Sequence, residues 1–411
     1  MKVLLWFRRD LRIHDHVLLH KAQQINAQYL GFAQAHLKSS FENTGEPRWG
    51  ERKKQFYLET ISDLKSSFES KGLPFWFSDL PLSKAIETVE EQFIPDEIWC
   101  QNAAGWEERE EVLMLAKKYK LREMESQSLY SLEDLPFKLE SLPFIFTDFR
   151  KKVEKHSEVR QCYSTENQFS GAQNIQTPEL PELSFLPIHP HSAFPFAGGE
   201  RAALERMKDW IWEGNHLSTY KKTRNESIGT EYSSKLSAYL AWGCLSPRTL
   251  YWEIKKYERE VLSNESTYWL YFELLWRDFF HFTCRKEGSS FFKSKNIEKQ
   301  IDQSKWMAWK EAKTNNSFIN AHMKELAETG FMSNRGRQNV ASFLLHSLKI
   351  DWRLGAQYFE SELIDFEPAN NYGNWTYLAG LGHDPRPNRI FNPEIQKQRY
   401  DAEGKYVELW T

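Results

Sequence analysis

The stretch from Gly330 to Trp375 concentrates Asn334, Arg337, Gln338, Trp352, Asp365, Glu367, Asn371 and Trp375. A plain helical core does not require amides, a guanidinium, carboxylates and indoles at that density. Asn334, Arg337, Gln338 and Ala341 recur at i, i+3, i+4 and i+7, so they share one helix face. With acceptors following at Asp365 and Glu367, the set suits a polarised aromatic ligand held by a few fixed donors and acceptors. The alternative is a buried Arg–Asp pair with a purely structural role.

Two further segments carry similar chemistry. In YWLYFELLWRDFFHF at 268–282, a helical repeat puts Glu273, Trp276, Arg277 and Phe280 on one stripe, so a carboxyl, an indole and a guanidinium face one volume. The competing reading is a core helix with an internal Glu–Arg pair. In YSSKLSAYL at 232–240, hydroxyls and a lysine precede a helical run, as at a phosphate-binding helix start. Serines there also serve as simple N-caps. Together the three segments could line one deep pocket with a phosphate end, a wall and a polar floor, which a flavin dinucleotide would fit.

The elements that must position these groups are legible in outline. Residues 1–125 alternate short apolar runs (VLLWF at 3–7, YLGFA at 29–33, PFWF at 74–77, EIWC at 97–100) with charged amphipathic stretches, which predicts βαβ units and a doubly wound parallel sheet. Neither GxGxxG nor GxxxxGK is present. From about 160 to 199 periodicity fades and prolines gather before Gly198-Gly199, the mark of a connector crossing the surface of one half to reach the other. From Glu200 helical patterns dominate. The predicted division is an α/β domain at 1–130, a connector at 131–199 and an all-α domain at 200–411.

Composition sets the remaining bounds. The chain of 411 residues has room for two domains, and its 16 tryptophans exceed ordinary packing demand. A net charge of −3 exerts no global pull on nucleic acid, so any such contact must be local. Cys100, Cys162, Cys244 and Cys284 form no CxxC pair, which argues against structural zinc, an iron–sulfur cluster or a disulfide scaffold. No metal is expected. The short apolar run before Arg8 is no signal segment, and no stretch reaches membrane-spanning length. A cytoplasmic protein in a reducing compartment, with no membrane partner, is the expectation.

Over nearly its whole length the chain resembles the photolyase/cryptochrome flavoproteins, most of all the DASH subgroup. The motifs are WFRRDLR at 6–12, TDFRKKVE at 147–154, SAFPFAGGE at 192–200, TYKKTRN at 219–225, SSKLSAYLAWGCLSPR at 233–248, FELLWRDFF at 272–280 and FMSNRGRQNVASFL at 331–344, followed by DWRLGAQYFES and NYGNWTYLAG. The resemblance implies an N-terminal α/β domain and a C-terminal helical domain holding FAD. By it, Tyr220 and Ser233, Ser234, Lys235, Leu236 and Ser237 hold the phosphates. Glu273, Arg277, Asn334, Arg337, Asp365, Glu367 and Asn371 line the rest of the cofactor site, with Arg337 paired to Asp365 and Asn371 facing flavin N5.

The implied activity is light-driven repair, in which excited reduced FAD lends an electron to a cyclobutane pyrimidine dimer, the ring splits and the electron returns. Glu273 then hydrogen-bonds the dimer, Trp276 stacks on it, and Gln338, Tyr377 and Asn392 complete the substrate side. Tyr377 stands where duplex-repairing relatives place a tryptophan, which points to single-stranded DNA. Relatives acting on (6-4) photoproducts carry histidines where this chain has Asn334 and Gln338, so that activity is set aside. Trp375 and Trp352 match the inner two members of the photoreduction chain. The outermost aligns with Lys299, and Trp306 is the candidate substitute. A methenyltetrahydrofolate antenna is also implied, with Glu107 as candidate ligand and a solvated helix charge as its alternative. Two departures stand out: residues 314–321 lack the family's glycine and proline, and Glu367 replaces an aspartate. A monomer is expected. The competing function is a blue-light photoreceptor that binds nucleic acid or a partner without repair; a degenerate homologue without cofactor is the third reading.

Overall fold

The computed structural model describes residues 1–164, 170–182, 185–293, 302–383 and 390–411. Five parallel strands form one sheet: β1 (Lys2–Phe7), β2 (Gln28–Gln34), β3 (Phe75–Ser78), β4 (Glu97–Gln101) and β5 (Leu121–Met124), in the order β3-β2-β1-β4-β5. Leu5 pairs with Gly31 on one side and Trp99 on the other, so β1 is the point where winding reverses. This is the doubly wound sheet that the apolar runs predict, and it opens a crevice at the strands' carboxyl ends. Strand β5 had no apolar run to announce it. Leu121 and Met124 are half-buried while Arg122 and Glu123 are exposed, as an edge strand with one neighbour allows.

From residue 200 onward the described residues form helices and no strand. Helix Glu265–Glu287 runs through this half, started by a capping box in which Asn264 accepts from the backbone of Ser266 and Thr267 while Thr267 Oγ1 accepts from Asn264 N–H. Helix Pro368–Leu378 packs against it. Its start is set by Pro368 at the first position and by the Glu367 carboxylate, which accepts from the N–H groups of Ala369 and Asn370. Ser333 caps helix Asn334–Ser342 in the same manner.

The segment just after β1 joins the halves. Arg12 donates to the carbonyls of Gly243 and Ser126, Arg9 to those of Ala241 and Phe366, and Leu11 N–H to Trp242 O. Asp15 and Arg248 form a buried ion pair at 2.7 Å. Gly243 is required here: its φ is +71°, and a Cβ would lie 2.0 Å from Arg9 O. Removing one partner of such a buried pair costs about 3–5 kcal/mol; Arg9, Leu11 and Arg12 of WFRRDLR thus bracket the two halves, while Trp6, Arg8 and Arg9 also line a cavity between them.

Within 131–199, helix Phe146–His156 forms before the irregular stretch. That stretch hugs the first half, where Gly171 bridges Tyr29 of β2, Lys65 Nζ donates to Pro178 O and Arg52 to Pro187 O. At 314–321 side chains do the work of the missing glycine and proline. Asn320 Oδ1 accepts from Thr314 N–H at 2.9 Å, Asn320 Nδ2 returns a bond to Thr314 O, and Asn316 caps the next helix.

Candidate functional site

A cavity of about 620 Å³ opens within the helical half. Its wall is the predicted stripe of helix Glu265–Glu287, with Glu273, Trp276, Arg277 and Phe280 all facing it. Its floor carries Asn334, Arg337 and Gln338 from the next capped helix, together with Asp365 and Glu367. Tyr220 and the run Ser233–Ser237 close the far end, and Tyr377 stands near Trp276. The three chemistry-bearing segments therefore meet in one volume. Asn371 and Trp375 line a smaller cavity of about 100 Å³ that shares Asn334, Arg337, Asp365 and Glu367 with the larger one.

The floor is electrostatically matched. Arg337 makes a bidentate pair with Asp365 at 2.9 and 2.8 Å, and Ser237 Oγ donates to the same carboxylate at 2.7 Å. Glu367 has a second duty besides capping. Burial works against its charge, but His281, 3.2 Å away, with Arg9 and Arg277, outweighs burial and holds its carboxyl well below the usual range. Arg277 spends its guanidinium on the carbonyls of Gln127 and Leu240, which ties the cavity wall to the α/β half. Asn371 donates to Ala356 O at 3.0 Å, fixing its amide plane.

At the serine end, Lys235 adopts φ +61° and is 2% exposed. Its ammonium has no hydrogen-bond partner and lies 3.1 Å from the Tyr232 ring centroid, and burial pushes it well below the usual lysine range. Nearby Glu325, whose carboxyl accepts from Tyr406 Oη, is pushed up to about 7 by burial. A buried amine without a hydrogen-bond partner at the end of a large cavity is what an anionic phosphate group would satisfy, favouring its charged form. The donor set thus fits a dinucleotide: hydroxyls and a cation at one end, apolar walls, and a polar floor.

Two neighbours of the wall escaped the sequence reading. Arg224 forms an ion pair with Glu273. Burial raises the Glu273 carboxyl above its ordinary range, and Arg224 offsets part of that rise. Phe146 stacks on Trp276 at 3.6 Å and 11°, so one indole face is taken by a residue far off in the chain. Arg224 sits in TYKKTRN and Phe146 beside TDFRKKVE, but no periodicity links either to 268–282. Asn392 is not brought to the cavity. Its Oδ1 accepts from the N–H groups of Glu394 and Ile395 and caps helix Pro393–Tyr400.

Two regions of the chain match known family models. Residues 3–168 match the family model for DNA photolyase, and residues 269–411 match the FAD binding domain of DNA photolyase. A Cryptochrome DASH of Synechocystis sp. is 41% identical, covering 99% of this chain and 87% of the relative. The chain belongs to the photolyase/cryptochrome family. A Cryptochrome DASH of Danio rerio is 39% identical across 100% of this chain and 82% of its own. The crystal structure of a Synechocystis cryptochrome superposes with a TM-score of 0.92 at 39% identity, over 100% of this chain and 88% of that one. FAD is accordingly the cofactor of this photolyase/cryptochrome chain, and the cavity just described is the volume suited to it.

A second cavity of this family member, about 820 Å³, lies between the halves at the carboxyl ends of the strands. Glu107 lines it but is exposed and paired with Arg48. Lys53, 2% exposed, donates to the carbonyls of Arg48 and Glu360; burial drives its ammonium down and the Glu360 carboxyl up. Helix Pro368–Leu378 partitions the cavities: Tyr372 faces this one, while Asn370 and Asn374 face the first.

The tryptophans share one apolar cluster. Trp375, Trp352 and Trp306 are 2%, 3% and 8% exposed. Trp375 contacts Phe359 at 5.2 Å, Phe359 contacts Trp309 at 6.4 Å, and Trp309 stacks on Trp306 at 5.6 Å. Trp352 meets Tyr372 edge-on at 6.1 Å. Lys299 lies outside the described residues. Among the described residues no cluster suited to a metal occurs, and no helix is long and apolar enough to cross a membrane.

Proposed function

We propose that the protein is a FAD-dependent, blue-light-driven lyase that reopens cyclobutane pyrimidine dimers in single-stranded DNA. The observation that supports this best is the join between the FAD-suited end of the cavity and a wall presenting Glu273, Trp276, Gln338 and Tyr377 together. When bound, FAD supplies the light-driven electron that opens the dimer. The chain supplies position and polarity. The free face of Trp276 stacks on an extruded base, Glu273 donates a hydrogen bond to it once protonated, and Arg337 with Asp365 and Ser237 holds the floor rigid. Tyr377 meets Trp276 edge-on at 5.8 Å on the same cavity wall, and an aromatic surface of this kind suits the bases of a flexible single strand.

In this reading Asn371 would lie beside flavin N5, Trp375, Trp352 and Trp306 would carry electrons to the cofactor, and a folate antenna would occupy the second cavity with Glu107 at its rim. The division at 1–130, 131–199 and 200–411 belongs to the same reading. So do a monomeric state and a cytoplasmic location, the latter supported by four free cysteines. The second reading, a photoreceptor without repair, is favoured by one observation: Arg224 already engages Glu273.

Blue-light repair of a dimer-containing single-stranded oligonucleotide, by protein whose FAD has been chemically reduced, decides between them. Rapid repair abolished in darkness is expected. Bound FAD without repair would overturn the lyase and leave the photoreceptor.

A further inference from the structure

The Arg224–Glu273 ion pair on the cavity wall opposes the task proposed for Glu273. Facing a guanidinium, Glu273 sits in the arrangement of a carboxylate, which accepts hydrogen bonds and donates none, while burial pulls the other way. The proposed lyase needs the O–H form to donate to a pyrimidine carbonyl.

The surroundings show how the state can change. Arg224 follows the short helix Tyr220–Thr223, whose Lys222 is exposed and whose Lys221 lies 4.9 Å from the Trp269 ring and pairs with Glu265. Its side chain is 17% exposed and that of Glu273 32%, and both line the same cavity. The other charges facing this region are already committed: Arg277 to two carbonyls, Arg337 to Asp365, and Arg335 to Gln338 and Asn225. Tyr220, also facing Glu273, is kept neutral by burial. Arg224 is therefore the cation on which the charge of Glu273 depends.

We propose that a phosphodiester of the bound single strand takes Arg224 from Glu273, and that binding is accompanied by uptake of one proton onto the Glu273 carboxyl. This rests on the proposed action on single-stranded DNA. The physical sequence is short. Phosphate is a strong guanidinium acceptor and compensates Arg224 in place of the carboxylate. A base stacked on Trp276 then covers the exposed part of Glu273, and a buried carboxylate without a counter-charge takes a proton from solvent. The switch thereby arms the donor only when substrate is present.

The experiment is the affinity of FAD-loaded protein for a dimer-containing single-stranded oligonucleotide across pH 5.5–8.5, with calorimetry in two buffers of different ionisation enthalpy to count protons. Wild type should take up close to one proton near neutrality, its affinity falling by up to about tenfold per pH unit as pH rises. Glu273→Gln, a neutral mimic of the acid, should bind with a flat pH profile. Arg224→Gln should lose both the uptake and about 0.7 of the logarithmic salt slope, as one lost phosphate contact predicts; a merely structural pair would move neither. A flat wild-type profile, or an unchanged slope in Glu273→Gln, overturns the switch and leaves the lyase reading intact. No binding at any pH overturns both.

Discussion

The two cavities are similar in size, and they differ in how their charges are settled. In the first, Arg337 and Asp365 are matched to each other, while Lys235 and Glu325 are buried near its serine end without a mutual ion pair. In the second, Lys53 is equally buried yet has two carbonyl partners, and the Arg48–Glu107 pair at the rim is open to solvent. Charge left unmatched in a dry interior costs stability unless a ligand completes it; charge matched by backbone needs none. An anionic ligand therefore has more to settle in the first cavity, whereas the buried lysine of the second is already satisfied by backbone and leaves a ligand there to be held by other contacts.

The strongest break in that contrast lies on the partition helix. Trp375→Phe should abolish photoreduction of oxidised flavin while prereduced protein keeps its repair rate. Unchanged photoreduction, followed by flavin absorbance under blue light, would show that electrons enter by another route. Next, Arg337→Ala leaves Asp365 buried and uncompensated at about 3–5 kcal/mol, so purified protein should have lost most of its FAD. Full occupancy by absorbance would mean that the floor does not hold the cofactor.

Glu273→Ala should retain FAD but lose about 10- to 100-fold in repair, the worth of a hydrogen bond of about 1.5–3 kcal/mol. The pH behaviour of Glu325 sharpens the comparison further. A carboxyl raised to about 7 in the fold, from an ordinary 4.5, makes the native state bind more protons than the unfolded one, so its contribution falls as pH rises from about 4.5 to 7. Glu325→Gln should raise stability at pH 8 by about 1–2 kcal/mol and not at pH 4, read from denaturant midpoints of wild type and variant. A gain of equal size at both pH values would remove charge from the explanation. The smallest effect belongs to the second cavity. Glu107→Ala breaks an exposed pair worth about 0–1 kcal/mol and should leave FAD unchanged while weakening added folate.

The first cavity was readable because each of its three parts is local. Helical spacing alone puts Glu273, Trp276, Arg277 and Phe280 on one face, and the structure keeps them there. The second was not, because its lining comes from distant segments, among them Arg8, His36, Trp106, Trp242 and Tyr372, that docking of the halves brings together. Strand β5 was missed for a related reason: an edge strand does not need a continuous apolar run. Asn392 shows the limit from the other side: a cap and a ligand use the same side chain, and the coordinates show it capping helix Pro393–Tyr400, outside the cavity lining.

Residue periodicity determined the parallel sheet, the helical second half and the faces that carry the polar floor and wall, since those follow from side-chain direction along a single element. Tertiary structure alone decided that Arg224 holds Glu273, that Phe146 covers one face of Trp276 and that Lys235 lies without a hydrogen-bond partner. Each is a relation between segments far apart in the chain, and spacing within one element carries no information about which distant group arrives opposite.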